Sequence, residues 1–153
     1  MKRRIGSKTI IKLLKKGIRH HDLPGATYIG GGCFRSAYRI GKWVVKETSD
    51  NEHSSSKDQC HIPRSVAQRT IDRHAIPMKL APTTYVRTHG RRYMLQSYVR
   101  PVMEYGVKRI EEFDRFMKQF EVPSADGYAY LPLDLHCENV GYGSRGELVS
   151  FDW

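Results

Sequence analysis

The sequence predicts one α+β domain, a small antiparallel sheet carrying a helix and followed by a shorter helical region. Three observations lead there. Two strand-like runs, residues 36–40 and 43–46, flank a tight Gly41-Lys42 turn, and a second pair, 83–88 and 91–99, flanks His89-Gly90. Between residues 108 and 120, Ile110, Phe113, Met117 and Phe120 recur at helical spacing, while Glu111, Glu112, Arg115 and Lys118 take the opposite face.

Length and charge set the bounds. A chain of 153 residues makes one domain of ordinary size, able to bury roughly 70% of its unfolded surface. No run approaches the roughly 20 apolar residues of a membrane span, and no stretch reads as a signal-peptide apolar region. Cys33, Cys60 and Cys137, an odd count at unrelated spacings, argue against a disulfide framework and suit a reducing cytoplasm. Residues 1–103 hold 21 Lys/Arg against 6 Asp/Glu, whereas residues 104–153 hold 5 against 10. Such a division suits a polyanionic ligand gripped by cations on one side and by metal-binding carboxylates on the other. It equally suits a nucleic-acid binder with one basic face.

In chain order, residues 2–21 carry eight Lys/Arg and no acid. Ser7 is expected to cap a helix whose Ile10, Ile11, Leu14 and Ile18 share a face, and Asp22-Leu-Pro-Gly25 to end it. A basic amphipathic helix can meet acidic membrane, nucleic acid or an acidic protein. The Ile/Leu stripe is expected to pack on the sheet and leave the lysines in solvent. Gly30-Gly31-Gly32 precedes the first hairpin. Glycines let backbone N–H groups approach phosphate oxygens, and Lys46 on the returning strand can meet the same phosphates as a point charge. Residues 48–63 are polar and expected as a loop, where His53, Cys60 and His61 lack the fourth partner and the spacing of a zinc site. Ser65–Ala75 reads as a short helix with Val66 and Ile71 inward. Pro123 to Gly127 reads as a loop, and 128–133 lead into the most strongly patterned polar stretch.

That stretch is Asp134-Leu-His-Cys-Glu-Asn139, followed by a short hairpin turning at Gly143-Ser-Arg-Gly146 and a strand that delivers Asp152. Asp and Asn are also common turn formers, so each alone could simply cap a loop. Together they match what phosphoryl transfer requires: a carboxylate to orient a hydroxyl, and an amide and a second carboxylate to hold magnesium.

With the upstream motif, the order resembles the protein-kinase-like fold. Gly30-Gly31-Gly32-Cys-Phe34 is similar to the glycine-rich loop, and Val44-Val45-Lys46 to the lysine strand. Asp134 to Asn139 has the catalytic-loop spacing, and Asp152 stands at the DFG aspartate. Gly30 to Tyr38 and the Leu-Asp-x-His-x-x-Asn run resemble the early serine/threonine protein kinases of short-tailed bacteriophages. Asp134-x-His136-x-x-Asn139 with Val140-Gly141 also resembles aminoglycoside phosphotransferase-type kinases. The resemblance covers about residues 28–153, with its motifs at the two ends.

It implies an ATP- and Mg2+-dependent kinase acting on serine or threonine of a host protein in the host cytoplasm. The expected layout is a basic arm (1–26), an antiparallel-sheet N-lobe (27–100) and a strongly truncated helical C-lobe (101–153), with the ligand in the cleft between lobes. Nucleotide would be held by Gly30, Gly31, Gly32, Phe34, Lys46, Ser97 and Val99, the last two by hinge backbone. Metal would be held by Asn139 and Asp152, with Asp134 and Lys46 as catalytic groups. The departures are Arg35 at the third loop glycine, Pro132 at the usual histidine and Trp153 at the DFG phenylalanine. No activation or APE segment follows in this sequence, and the helix of residues 65–75 offers only Asp72 as a partner for Lys46. A catalytically idle kinase-like module that binds and inhibits a host protein is the second reading, and nucleic-acid binding, supported by charge alone, the third.

Overall fold

The computed structural model describes residues 5–32, 35–48 and 63–151. Phe34, Asp152 and most of the polar loop expected at 48–63, with His53, Cys60 and His61, lie outside these. The helices are α1 (Ser7–Lys15), α2 (Arg64–Arg73) and α3 (Val107–Met117). The strands are β1 (Thr27–Gly32), β2 (Arg35–Ile40), β3 (Trp43–Thr48), β4 (Met78–Leu80), β5 (Thr83–Thr88), β6 (Arg91–Ser97), β7 (Val122–Pro123), β8 (Ala129–Tyr130), β9 (Val140–Tyr142) and β10 (Leu148–Ser150). The architecture is mixed α+β, as the patterning requires. No helix among the described residues is long and apolar enough to cross a membrane.

The chain divides into two compact units, Met1–Lys57 with Pro82–Tyr98, and Asp58–Ala81 with Val99–Trp153. In the first, five strands pair antiparallel in the order β1-β2-β3-β6-β5. Both anticipated hairpins form. Gly41 takes φ +59° at the β2–β3 turn, and His89 and Gly90 take φ +50° and +67° between β5 and β6, the left-handed pair that matches strand twist in a two-residue turn. The glycine triplet is not a loop ahead of the sheet. It belongs to edge strand β1, with a register shift between Tyr28 and Gly30, because pairing to β2 supplies backbone hydrogen bonds that an edge position grants even to glycine.

Helix α1 covers one face of this sheet. Ile10 and Leu14 are wholly buried among Ile40, Val45, Val86, Tyr93 and Leu95, with Ile11, Leu13 and Ile18 alongside. Each such side chain contributes roughly 1.5–3 kcal/mol by leaving water. Ser7 is not the cap; Gly6 holds that position in an extended conformation without a side-chain bond. The helix also ends earlier than Asp22. Gly17 adopts φ +88° and donates its N–H to Leu14 O at 2.9 Å while Ile18 N–H reaches Leu13 O at 3.2 Å, the paired reverse bonds of a glycine-terminated helix.

In the second unit β10 lies between β9, antiparallel, and β4, parallel. Within this unit, residues 63–81 contribute α2 and β4. On α2 the buried side chains are Ala67 and Ile71; Val66, expected inward, is only half-buried because it sits a residue off that face. On α3, Phe113 and Met117 are buried, and Ile110 and Phe120 are half-buried, the latter in a separate short turn over Lys118–Phe120. The hairpin at 143–146 forms as expected and leads through Ser150 to Phe151.

Candidate active site

Lys46 is placed by strand register. Gly30 of β1 faces Ala37 of β2, which faces Lys46 of β3, which faces Met94 of β6. Directly opposed residues in antiparallel strands share a face, so Lys46 projects from the side of the sheet opposite to Val45, the side away from α1. Its side chain is buried. Gly30, at φ +149°, has open space where a side chain would begin. Gly31 and Gly32 continue the edge strand. Ser97 closes β6 opposite Trp43, and the following Tyr98 N–H donates to Lys42 O at 2.8 Å, with the Arg39 guanidinium 3.7 Å from the centre of its ring.

Asp134 and Asn139 belong to the second unit and are brought together within it. Asn139 Nδ2 donates toward Asp134 O at 3.1 Å and Asp134 Oδ2 at 3.2 Å, and stands 3.0 Å from His136 Nε2. His136 Nε2 is 3.3 Å from Asp134 Oδ1, and its Nδ1 is 3.7 Å from Glu138 Oε2. With its amino group engaged, the Asn139 amide oxygen is the side-chain atom left to accept a hard cation. Two consecutive non-glycine residues, Leu133 (φ +64°) and Asp134 (φ +54°), are left-handed. Aspartate tolerates that region; leucine does so rarely, and such strain persists where surrounding structure enforces it. The enforcement is visible in Leu135, wholly buried, and in Phe151 N–H donating to Asn139 O at 3.1 Å. That bond ties the loop to the residue before Asp152.

Val99, expected from the sequence as a hinge contact, belongs to a segment that runs against β9. Pro101 bridges Gly141 of β9, and a Cβ built on Gly141 would lie 2.1 Å from Arg100 O and 2.5 Å from Val99 Cγ1. Glycine is required there because a strand backbone passes directly against the 99–101 segment. Beside the loop, a cavity of about 490 Å³ is lined by Leu131 and His136 together with Arg115, Lys118, Asp114 and Glu121. Burial, with the charges of Asp114 and Glu138 nearby, raises the Cys137 thiol above its ordinary value, so Cys137 is a poor nucleophile. Among the described residues no group of three or more His, Cys, Asp or Glu side chains is arranged to hold a metal ion; the expected set needs Asp152.

No family model matches the chain, and no curated protein matches it.

One polar cluster had no signal in the sequence. His20, buried between the end of the basic arm and the sheet, places Nε2 2.6 Å from Ser36 Oγ and Nδ1 3.2 Å from Glu47 Oε2, the latter without hydrogen-bond alignment. Glu47 also binds Arg91 at 2.5 Å and Arg19 at 3.2 Å. Burial holds the His20 imidazole below its ordinary value of 6.5, against the pull of Glu47, so the ring is neutral near neutral pH and its contact with Glu47 is not an ion pair. Burial alone would raise Glu47, but the hydrogen bonds from Arg91 and Arg19 outweigh it and bring the carboxyl below its ordinary 4.5. In both cases the unfolded chain binds protons more readily than the native one, so acid destabilises. Stability is expected to decline below about pH 6.5 through His20 and further below about pH 4.5 through Glu47. Urea midpoints across this range check it: His20→Gln should remove the upper stage, and a midpoint constant between about pH 7 and about pH 5 would contradict the assignment.

Proposed function

We propose that the chain is an ATP- and magnesium-dependent phosphotransferase of protein-kinase-like fold, transferring the γ-phosphoryl group to a serine or threonine hydroxyl of a protein, a host protein if the gene is a phage's. The observation that supports this best is the Asp134–Asn139 pair, held in a strained loop bonded to the segment that continues into Asp152. Asp134 would accept the hydroxyl proton as that oxygen attacks the γ-phosphorus, and the bond to the leaving ADP oxygen breaks in line. Asn139, through its amide oxygen, and Asp152 would hold magnesium, which when bound neutralises phosphate charge. Lys46 would meet the phosphates as a point charge, and the backbone of Gly30–Gly32 and of residues 97–99 would supply hydrogen bonds to the nucleotide. The cavity beside His136 offers room for part of an acceptor.

Nucleotide binding gives the direct test. ATP with magnesium should raise the melting temperature by linkage, about 2.7 kcal/mol at a hundredfold excess over Kd. Lys46→Met, chosen to keep volume in a buried site, should reduce that shift, with its own melting temperature measured first without ligand. An unchanged melting temperature in millimolar ATP, with and without magnesium, would remove this reading. Radiolabelled ATP with purified protein and a host lysate then asks whether phosphate moves.

A further inference from the structure

The solvent face of α1 is independent of that site. Its Lys8, Lys12, Lys15 and Lys16 are exposed and recur at i, i+4, i+7 and i+8, a single stripe of the helix. The stripe spans about 12 Å at about 1.5 Å per residue. The helix is rigidly seated: Ile10 and Leu14 are wholly buried, and His89 Nε2 lies 3.1 Å from Lys15 O. Among the described residues of the first unit there are twelve Lys/Arg and two Asp/Glu. Glu47 is paired with Arg19 and Arg91, and Asp22 lies 3.2 Å from His21. The four lysines of α1 thus have no acidic partner among those residues.

We propose that this lysine stripe on α1 is a docking surface for a nucleic-acid duplex, bound through its phosphates and without regard to sequence. Three observations select this occupant. Membrane insertion needs an apolar helix face, and that of α1 is consumed by the core. A specific protein partner needs aromatic or aliphatic anchors at the centre of the interface, and α1 exposes no large hydrophobic side chain. Single strands are held by stacking on aromatic rings, which this face also lacks. What remains is a row of fixed cations, and a duplex offers charge in register with it, one phosphate per roughly 3.4 Å of each strand.

The test uses the full chain and fluorescently labelled duplexes of about twenty base pairs in two unrelated sequences, titrated from about 50 to about 200 mM salt. Four phosphate contacts predict a log–log slope of at least about −3.6, hence roughly a hundredfold loss of affinity across that range, equal for both sequences. Replacing Lys8, Lys12, Lys15 and Lys16 together with alanine, a strong helix former, should leave the melting temperature unchanged, remove about 3–4 from the slope and weaken binding most at the lowest salt. The proposal is overturned if the quadruple variant keeps its affinity and slope. It is equally overturned if the parent prefers phosphatidylserine vesicles, a polyglutamate chain or single-stranded DNA over the duplex at matched charge. Absence of duplex binding at the lowest salt overturns it outright.

Discussion

Asp134→Asn should lower phosphoryl transfer by about 10²–10⁴-fold while leaving ATP binding nearly intact, the loss expected when a general base is removed. The substitution isolates charge from shape. Asp134 is exposed and stands at φ +54°, a conformation that asparagine also tolerates. Asn139 Nδ2 can still donate to the backbone carbonyl of residue 134 at 3.1 Å and to the new amide oxygen. The loop should therefore keep its form, which an unchanged melting temperature would verify. Asp134→Ala is a poorer experiment, because it adds the cost of a left-handed alanine to the loss of the carboxylate. Transfer within tenfold of the parent would show that Asp134 is not the base. Cellular effect measured beside transfer separates the two main readings. A variant that loses transfer but keeps its biological effect acts by occupying its partner, whereas joint loss in a folded variant marks a kinase.

Gly141→Ala should destabilise the second unit by about 3 kcal/mol or more, above the usual range for overpacking. The new Cβ would fall 2.1 Å from Arg100 O, 2.5 Å from Val99 Cγ1 and 3.0 Å from Arg100 C. Backbone atoms lead that set, so relief requires parting the Pro101–Gly141 bridge rather than turning a side chain. Gly143→Ala provides the contrast within the same hairpin: the atoms nearest its Cβ would be the carboxylate of Glu147, whose flexible side chain can swing away at the loss of its bond to Arg145 N–H. Urea unfolding should rank Gly141→Ala far below Gly143→Ala. A loss under about 1 kcal/mol at Gly141 would mean that the 99–101 segment yields freely.

By itself the sequence determined the elements whose signals are local. The Gly41-Lys42 and His89-Gly90 turns, the 143–146 hairpin and the Ile110–Phe113–Met117 stripe are written in turn chemistry and in periods of 2 and 3.6, which neighbouring residues alone dictate. The spacing of Asp134 and Asn139 was legible for the same reason, since one short loop carries both. Other features depend on partners far along the chain, and only tertiary structure decided them. Strand β4 is three residues long and exists because β10 lies beside it in parallel. The glycine triplet became a strand because β2 was there to pair with it. Gly17 ended α1 where its stripe could still have continued through Ile18, because the closing bonds to Leu13 and Leu14 need a left-handed residue. His20 and Glu47, 27 positions apart, meet only once α1 and the sheet have packed. The left-handed turn at Leu133–Asp134 has no sequence signal at all, because leucine does not choose that conformation; burial of Leu135 and the Phe151–Asn139 bond impose it.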